Sequence, residues 1–96
     1  MRNKLFYVYI LTNNSNKVLY TGITSNLKLR TYQHKNNNGS KFTSKYKIDK
    51  LVYYEVFEDP IRAIQREKTI KNLLRRKKIR LVNKFNPHWV DFYNRL

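Results

Sequence analysis

Two runs rich in β-branched and aromatic residues open the chain, residues 5–11 and 18–24, with the polar stretch Asn13-Asn14-Ser15-Asn16 between them. The pattern predicts a β-hairpin. With residues 13–16 as the loop, Thr12 faces Lys17 and Tyr9 faces Tyr20. Strand residues alternate faces, so both rings then share one side of the sheet. A helix is expected next, with Ser25 or Asn26 as N-cap and an end near Lys35. On it Leu27, Arg30, Thr31 and His34 share a face, and Leu27 anchors that face to the sheet. Asn36-Asn37-Asn38-Gly39-Ser40 reads as a loop. Residues 41–47 interleave basic and aromatic side chains and have room for a short helical turn. Residues 51–57 predict a third strand, apolar on both faces apart from Glu55. Asp59-Pro60 starts a helix, with Asp as N-cap and Pro at the first helical position, that ends near Leu74. A basic helix over about residues 77–84 follows. Asn86-Pro87-His88-Trp89 breaks the pattern, Trp89 reads as a core plug, and a last short turn is expected over residues 90–93.

The expected fold is therefore α/β (α+β). It is a three-stranded antiparallel sheet flanked by helices, in the order β-β-α-β-α-α, within one domain spanning residues 1–96. A hydrophobic fraction of 41% supports a modest core. No apolar run approaches the ~18 residues of a membrane span, and the N-terminal run has neither the length nor the small-residue site of a signal peptide. The chain has no cysteine, which excludes disulfides and Cys-ligated zinc and agrees with a cytoplasmic location.

Charge changes the picture most. Lys and Arg number 21 against 6 acids, a formal net charge of +15. A small folded domain of this balance is built to meet a polyanion, with nucleic acid ahead of an anionic membrane surface. Lys35, Lys41, Lys45, Arg75, Arg76, Lys77 and Lys78 are the candidate phosphate contacts.

One acid breaks this trend. Between Pro60 and Val90 the chain carries ten Lys or Arg, and Glu67 is the only carboxylate. Counting from Ala63, Glu67 falls at about 40° around the helix, close to Leu74 at about 20° and Ile70 at about 340°. It therefore lies in the small and apolar stripe. A carboxylate there needs an ion-pair partner, for which Lys71 one turn on is in reach, or it serves a hard cation.

These elements together resemble the GIY-YIG nuclease superfamily. Tyr7-Val8-Tyr9 stands where that family has Gly-Ile-Tyr, and Tyr20-Thr21-Gly22 where it has Tyr-Ile-Gly. Asn26-Leu27 with Arg30 and Gln33-His34 is similar to its first-helix pattern. Arg66-Glu67-Lys68 followed by a basic helix is similar to its glutamate motif. Asn86-Pro87 with Trp89 is similar to the closing motif of small standalone members. The resemblance covers nearly the whole chain and includes the N-terminal nuclease domain of an excision-repair incision subunit, although the short single-domain bacterial members look closest. Two departures stand out. Tyr7 replaces the first glycine, as is common in small members, and Ile23 stands where the repair-nuclease branch carries a lysine.

The resemblance implies that Tyr9 and Tyr20 are active-site tyrosines and that Arg30 faces the scissile phosphate. It makes His34 the neighbouring histidine, Glu67 the ligand of a single Mg²⁺ or Mn²⁺, and Asn86 the polar residue that closes the site. The implied activity is metal-dependent hydrolysis of DNA, with RNA a lesser candidate, in repair or recombination. A tyrosine takes the proton of the attacking water, and the positive field of the chain favours its phenolate. A domain this short lacks a separate sequence-reading module, so branched or single-stranded structure, or a protein partner, directs it. The alternative from another class is a non-catalytic nucleic-acid-binding module on the same fold. A third reading is a basic ribosome-associated protein.

Overall fold

The computed structural model describes residues 4–36 and 39–96. Met1-Arg2-Asn3 and the Asn37-Asn38 centre of the expected loop lie outside the described residues. The order is β1 (Phe6–Thr12), β2 (Leu19–Thr24), α1 (Leu27–Lys35), α2 (Lys41–Tyr46), β3 (Lys50–Phe57), α3 (Pro60–Lys71), α4 (Arg75–Phe85) and a terminal 3₁₀ turn, Phe92–Arg95. The expected three-stranded antiparallel sheet is present with strand order β2-β1-β3. The basic-aromatic segment after α1 forms α2. Asn26 caps α1, accepting from Leu29 N–H, and Asp59 caps α3 ahead of Pro60. α3 stops at Lys71, earlier than expected, and α4 starts at Arg75. Leu74 thus leaves the apolar stripe and stands 56% exposed. The last turn lies two residues beyond its expected start.

β1 is the hub, because both other strands pair with it and both of its faces are covered. Val8 and Ile10 pack with Val52, Tyr53, Ala63, Ile70 and Val82 under α3 and α4. Tyr9 and Leu11 pack on the other face with Leu27, Ile48 and Leu51. Each such apolar side chain contributes roughly 1.5–3 kcal/mol by burial. A bulge between Ile10 and Leu11 lets Val52 and Tyr53, which are adjacent, enter the same core.

The hairpin register differs from expectation. Thr12 pairs with Leu19, not Lys17, and Tyr9 pairs with Gly22, not Tyr20. The cause is a wider loop. Asn13 Oδ1 accepts from Lys17 N–H (2.9 Å) and Val18 N–H (3.2 Å), and Asn16 sits at positive φ. These bonds withhold Lys17 and Val18 from the ladder. The displacement is an even number of residues, so side-chain parity survives and Tyr9 and Tyr20 still share a face.

Candidate active site

Tyr9, the partner of Gly22 across the hairpin, lies diagonally from Tyr20, with ring centroids 6.4 Å apart. His34, on the buried face of α1, meets both rings edge-on, at 6.0 Å from Tyr9 and 5.6 Å from Tyr20. Its Nε2 is 3.2 Å from Tyr9 Oη and its Nδ1 is 3.0 Å from Thr43 Oγ1. Thr43 Oγ1 donates to Ser40 O, so it accepts from His34 Nδ1–H. Nε2 then carries the lone pair that takes the Tyr9 O–H.

Burial sets the protonation of this pair. His34, 2% exposed, is pushed down to about 4 by burial and then by the Arg30 charge. It is a neutral imidazole at pH 7. Tyr9, 1% exposed, is pushed up to about 12, by burial first and by Tyr20 second. The Arg30 guanidinium beside Tyr9 pulls the other way and the Glu67 carboxylate adds a small upward push. The expectation that the protein's positive field favours a phenolate therefore fails at Tyr9, where desolvation outweighs it.

Arg30 rests on neutral acceptors: Gln33 Oε1 (3.0 Å), Gly39 O (3.2 Å) and the Tyr9 hydroxyl oxygen. Among the described residues it has no carboxylate within ion-pair distance. Its charge is half-buried and uncompensated, a setting suited to a phosphate.

Glu67 lies on α3 with its side chain 15% exposed, between the buried Ala63 and Ile70. The expected ion pair forms, with Lys71 Nζ at 3.2 Å from Oε2. Lys71 is 57% exposed and can swing into solvent. No group of three or more His, Cys, Asp or Glu gathers among the described residues. A lone carboxylate with one removable partner fits Mg²⁺ or Mn²⁺, which keeps most of its shell as water and substrate oxygens. Zinc, which wants four protein or near-protein ligands, does not fit.

Asn86 is placed elsewhere. It is 3% exposed, donates to Val52 O and Val90 O, and accepts from Val90 N–H. These bonds tie the end of α4 to β3 and occupy its amide with backbone groups, not with the tyrosines. They also brace the turn in which Trp89 holds a positive φ, a costly conformation for a bulky residue. Trp89 is a half-buried plug against the α3–α4 core, as expected. Ile23 belongs to that same core, packed on the face opposite the two tyrosines.

The basic candidates separate by partner. Lys35 Nζ binds Asp91 Oδ2 (2.5 Å) and Asp49 O (2.9 Å) and covers the Tyr93 ring. It is a tie between α1 and the C-terminal turn, so its expected phosphate contact is not supported. Lys41, Lys45, Arg75, Arg76 and Lys77 are exposed and Lys78 is half-buried. Arg80 and Lys84 join Lys77 and Arg66 around a shallow concavity floored by Leu73 and Leu81. Those two cations fall on the Lys77 face at helical spacing, a signal present in the sequence but outweighed by the denser run at residues 75–78.

Gly22 of the second motif also shapes the site, as do three residues that were not singled out, Gly39, Thr43 and Phe42. The chain has two glycines, and each abuts a ring of the cluster. A Cβ at Gly22 would lie 2.5 Å from Tyr9 Cζ, and one at Gly39 would lie 2.1 Å from His34 Nδ1. Neither has positive φ, so each is glycine for space and not for conformation. Thr43 holds the His34 tautomer and is itself fixed by the Ser40/Thr43 capping box, which lacks the usual Glu or Gln three residues after the cap and so was not legible in the sequence. Phe42 stacks on Tyr20 at 6.4 Å and 28°.

The GIY-YIG catalytic domain model matches residues 5–80, which leaves Asn86 and Trp89 outside the match. A UPF0213 protein of Clostridium perfringens is 44% identical over 77 residues, covering 80% of this chain and 82% of the relative. One from Natronomonas pharaonis is 42% identical over 76 residues, covering 79% and 88%. The solution NMR structure of a UPF0213 protein from Bacillus halodurans superposes with a TM-score of 0.58 at 31% identity, covering 91% of this chain and 92% of that one. The family match spans Tyr9, Tyr20, Arg30 and Glu67, and the chain belongs to the GIY-YIG family, carrying its nuclease-type catalytic domain.

Proposed function

We propose that the protein is a metal-dependent DNA endonuclease that acts on structure more than on sequence. The observation that carries this reading is Tyr9 next to Tyr20, with the charges of Arg30 and the half-buried Glu67 both acting on it and Arg30 lacking a counter-ion among the described residues. Arg30 grips the scissile phosphate through charge-assisted hydrogen bonds and stabilises the charge that builds there. A Mg²⁺ or Mn²⁺ held by Glu67 would supply Lewis-acid polarisation of the phosphate and of the leaving oxygen. Lys71 yields Glu67 for that role at little cost, because an exposed i,i+4 ion pair contributes only about 0.3–0.5 kcal/mol.

The tyrosines divide the work by burial. Tyr9 is sealed from solvent and keeps its proton, donating it in a hydrogen bond to His34 Nε2. Tyr20 is half-buried on the edge strand and is the one that meets substrate. In this reading Tyr20 orients the attacking water; having released its own phenolic proton to solvent, it takes the water's proton as phenolate, while Tyr9 and His34 form the wall that fixes the Tyr20 ring. They are positioning residues. The exposed cations of α2 and α4 hold flanking phosphates without reading sequence.

The test is nicking of plasmid and of branched or single-stranded DNA with Mg²⁺, Mn²⁺ or EDTA. The expected outcome is cleavage only with metal, abolished in Glu67→Ala while DNA binding persists. Absence of cleavage of any DNA form with either metal sinks the proposal in favour of a binding module.

A further inference from the structure

Helix α2 displays aromatic rings where a six-residue helix would be expected to bury them. Phe42 is 47% exposed and Tyr46, one turn on, is 46% exposed, with their ring centroids 5.0 Å apart. Neither ring belongs to either core cluster. The row does not end at α2. Phe42 stacks at 28° on Tyr20, which in turn abuts His34 and Tyr9, so a ladder of π faces runs from the site to the surface.

The ladder is rigid and it is cationic. The Ser40/Thr43 capping box closes the start of α2, and Ile48, fully buried, donates its N–H to Thr43 O at the other end. Lys41, Lys45 and Lys47 are all exposed around the rings, and Lys45 Nζ lies 5.4 Å over the Tyr46 ring. A ligand that suits this surface combines flat π faces with a flexible anionic backbone. Duplex DNA hides its base faces in the stack, whereas a single strand offers them. The positive charge also disfavours a purely apolar protein segment as the occupant.

We propose that Phe42 and Tyr46 form a stacking platform for unpaired bases of single-stranded DNA, continuous with Tyr20 and flanked by the α2 lysines. This makes an unpaired stretch next to the phosphate at Arg30 the preferred substrate, and in that respect it rests on the nuclease reading above. The stacking itself is independent of cleavage and can be read without it.

The experiment measures binding in EDTA, where no cleavage occurs, by fluorescence anisotropy of a labelled single strand and of a duplex of equal length. A second strand carrying 2-aminopurine reports stacking by quenching. Wild type is expected to prefer the single strand and to quench the probe. Phe42→Leu and Tyr46→Leu, which keep apolar bulk and lose the ring, are each expected to lower single-strand affinity about tenfold and to relieve the quench, with duplex affinity unchanged. Phe42→Trp is expected to retain both. Single-strand affinity and quenching at wild-type level in both leucine variants overturn the platform. So does a parallel loss toward strand and duplex. A wild type that quenches but never cleaves upholds the platform and removes the nuclease reading. A wild type that cleaves with strand preference unchanged in the leucine variants does the reverse.

Discussion

The sheet carries two polar clusters built around a buried tyrosine, and they are finished in opposite ways. On the α3 side, Tyr53 donates to Glu55, and Arg66 closes on the same carboxylate in a bidentate pair at 2.9 and 3.0 Å. Burial raises the carboxyl of Glu55, but the Arg66 and Tyr53 hydrogen bonds outweigh it and hold the group below its usual range. Tyr53, driven by burial and by Glu55, is pushed up to about 12. Every charge there has its partner. On the α1 side, Tyr9 and His34 are both neutral, and Arg30 leans on an amide, a carbonyl and the Tyr9 hydroxyl, with no counter-ion among the described residues. Two clusters with similar chemistry thus differ in whether a charge is left over. A closed cluster specifies packing, while an open one is ready for an anion.

The sharpest way to break this contrast is to remove the leftover groups. Arg30→Ala and Glu67→Gln are each expected to reduce metal-dependent DNA cleavage by about 10²–10³-fold. Thermal unfolding should show stability within about 0.5 kcal/mol of wild type, since neither residue is a core contact. A large drop in melting temperature in either variant would move these residues to the structural side of the comparison.

Acid titration separates the clusters by pH window. His34 has its folded value depressed to about 4 from the usual 6.5, so between these values the unfolded chain binds a proton that the native one does not. Stability therefore rises with pH across that window, and is lost as pH falls through it, by about 3 kcal/mol in total. Glu55, also depressed, contributes stability that is present above its ordinary value of 4.5 and is lost as pH falls below that. Denaturant unfolding from pH 7 to 4 should show the slope in wild type, and His34→Gln should flatten the upper part only. An unchanged slope in that variant rejects the buried neutral imidazole.

Opening the closed cluster should cost stability and spare chemistry. Glu55→Gln leaves Arg66, whose side chain is 34% exposed, without its counter-ion, and the expected loss is about 1–2 kcal/mol after solvent screening. Cleavage by the folded fraction should remain at wild-type rate. Loss of cleavage without loss of stability would show that the two clusters are coupled across the sheet.

The smallest effect concerns binding alone. Replacing Lys77, Arg80 and Lys84 with alanine should lower the dependence of log affinity on log salt by about 0.7–0.9 per lost phosphate contact. A salt slope equal to wild type would remove α4 from the interface.

Much of this molecule is legible in the residue pattern. The strands declare themselves through β-branched and aromatic runs, and α1 and α3 through Asn26 and Asp59-Pro60, because caps and periodicity are local signals. Glu67 stood out because a carboxylate in an apolar stripe violates a local rule. The face shared by Tyr9 and Tyr20 was also accessible, since parity survives an even register change. What only the tertiary structure decided is long-range. Loop hydrogen bonding by Asn13 set the actual register. Burial, which depends on every element packed around β1, set the protonation of Tyr9 and His34 against the overall charge. Lys35 was claimed by Asp91, 56 residues away, and Asn86 by the backbone of β3. Gly22 and Gly39 carry no local signal for their role, because the atoms that forbid a Cβ come from Tyr9 and His34. Composition and local order determine which groups are available, but only packing determines which charge of the two clusters lacks a counter-ion among the described residues, and here that charge is Arg30.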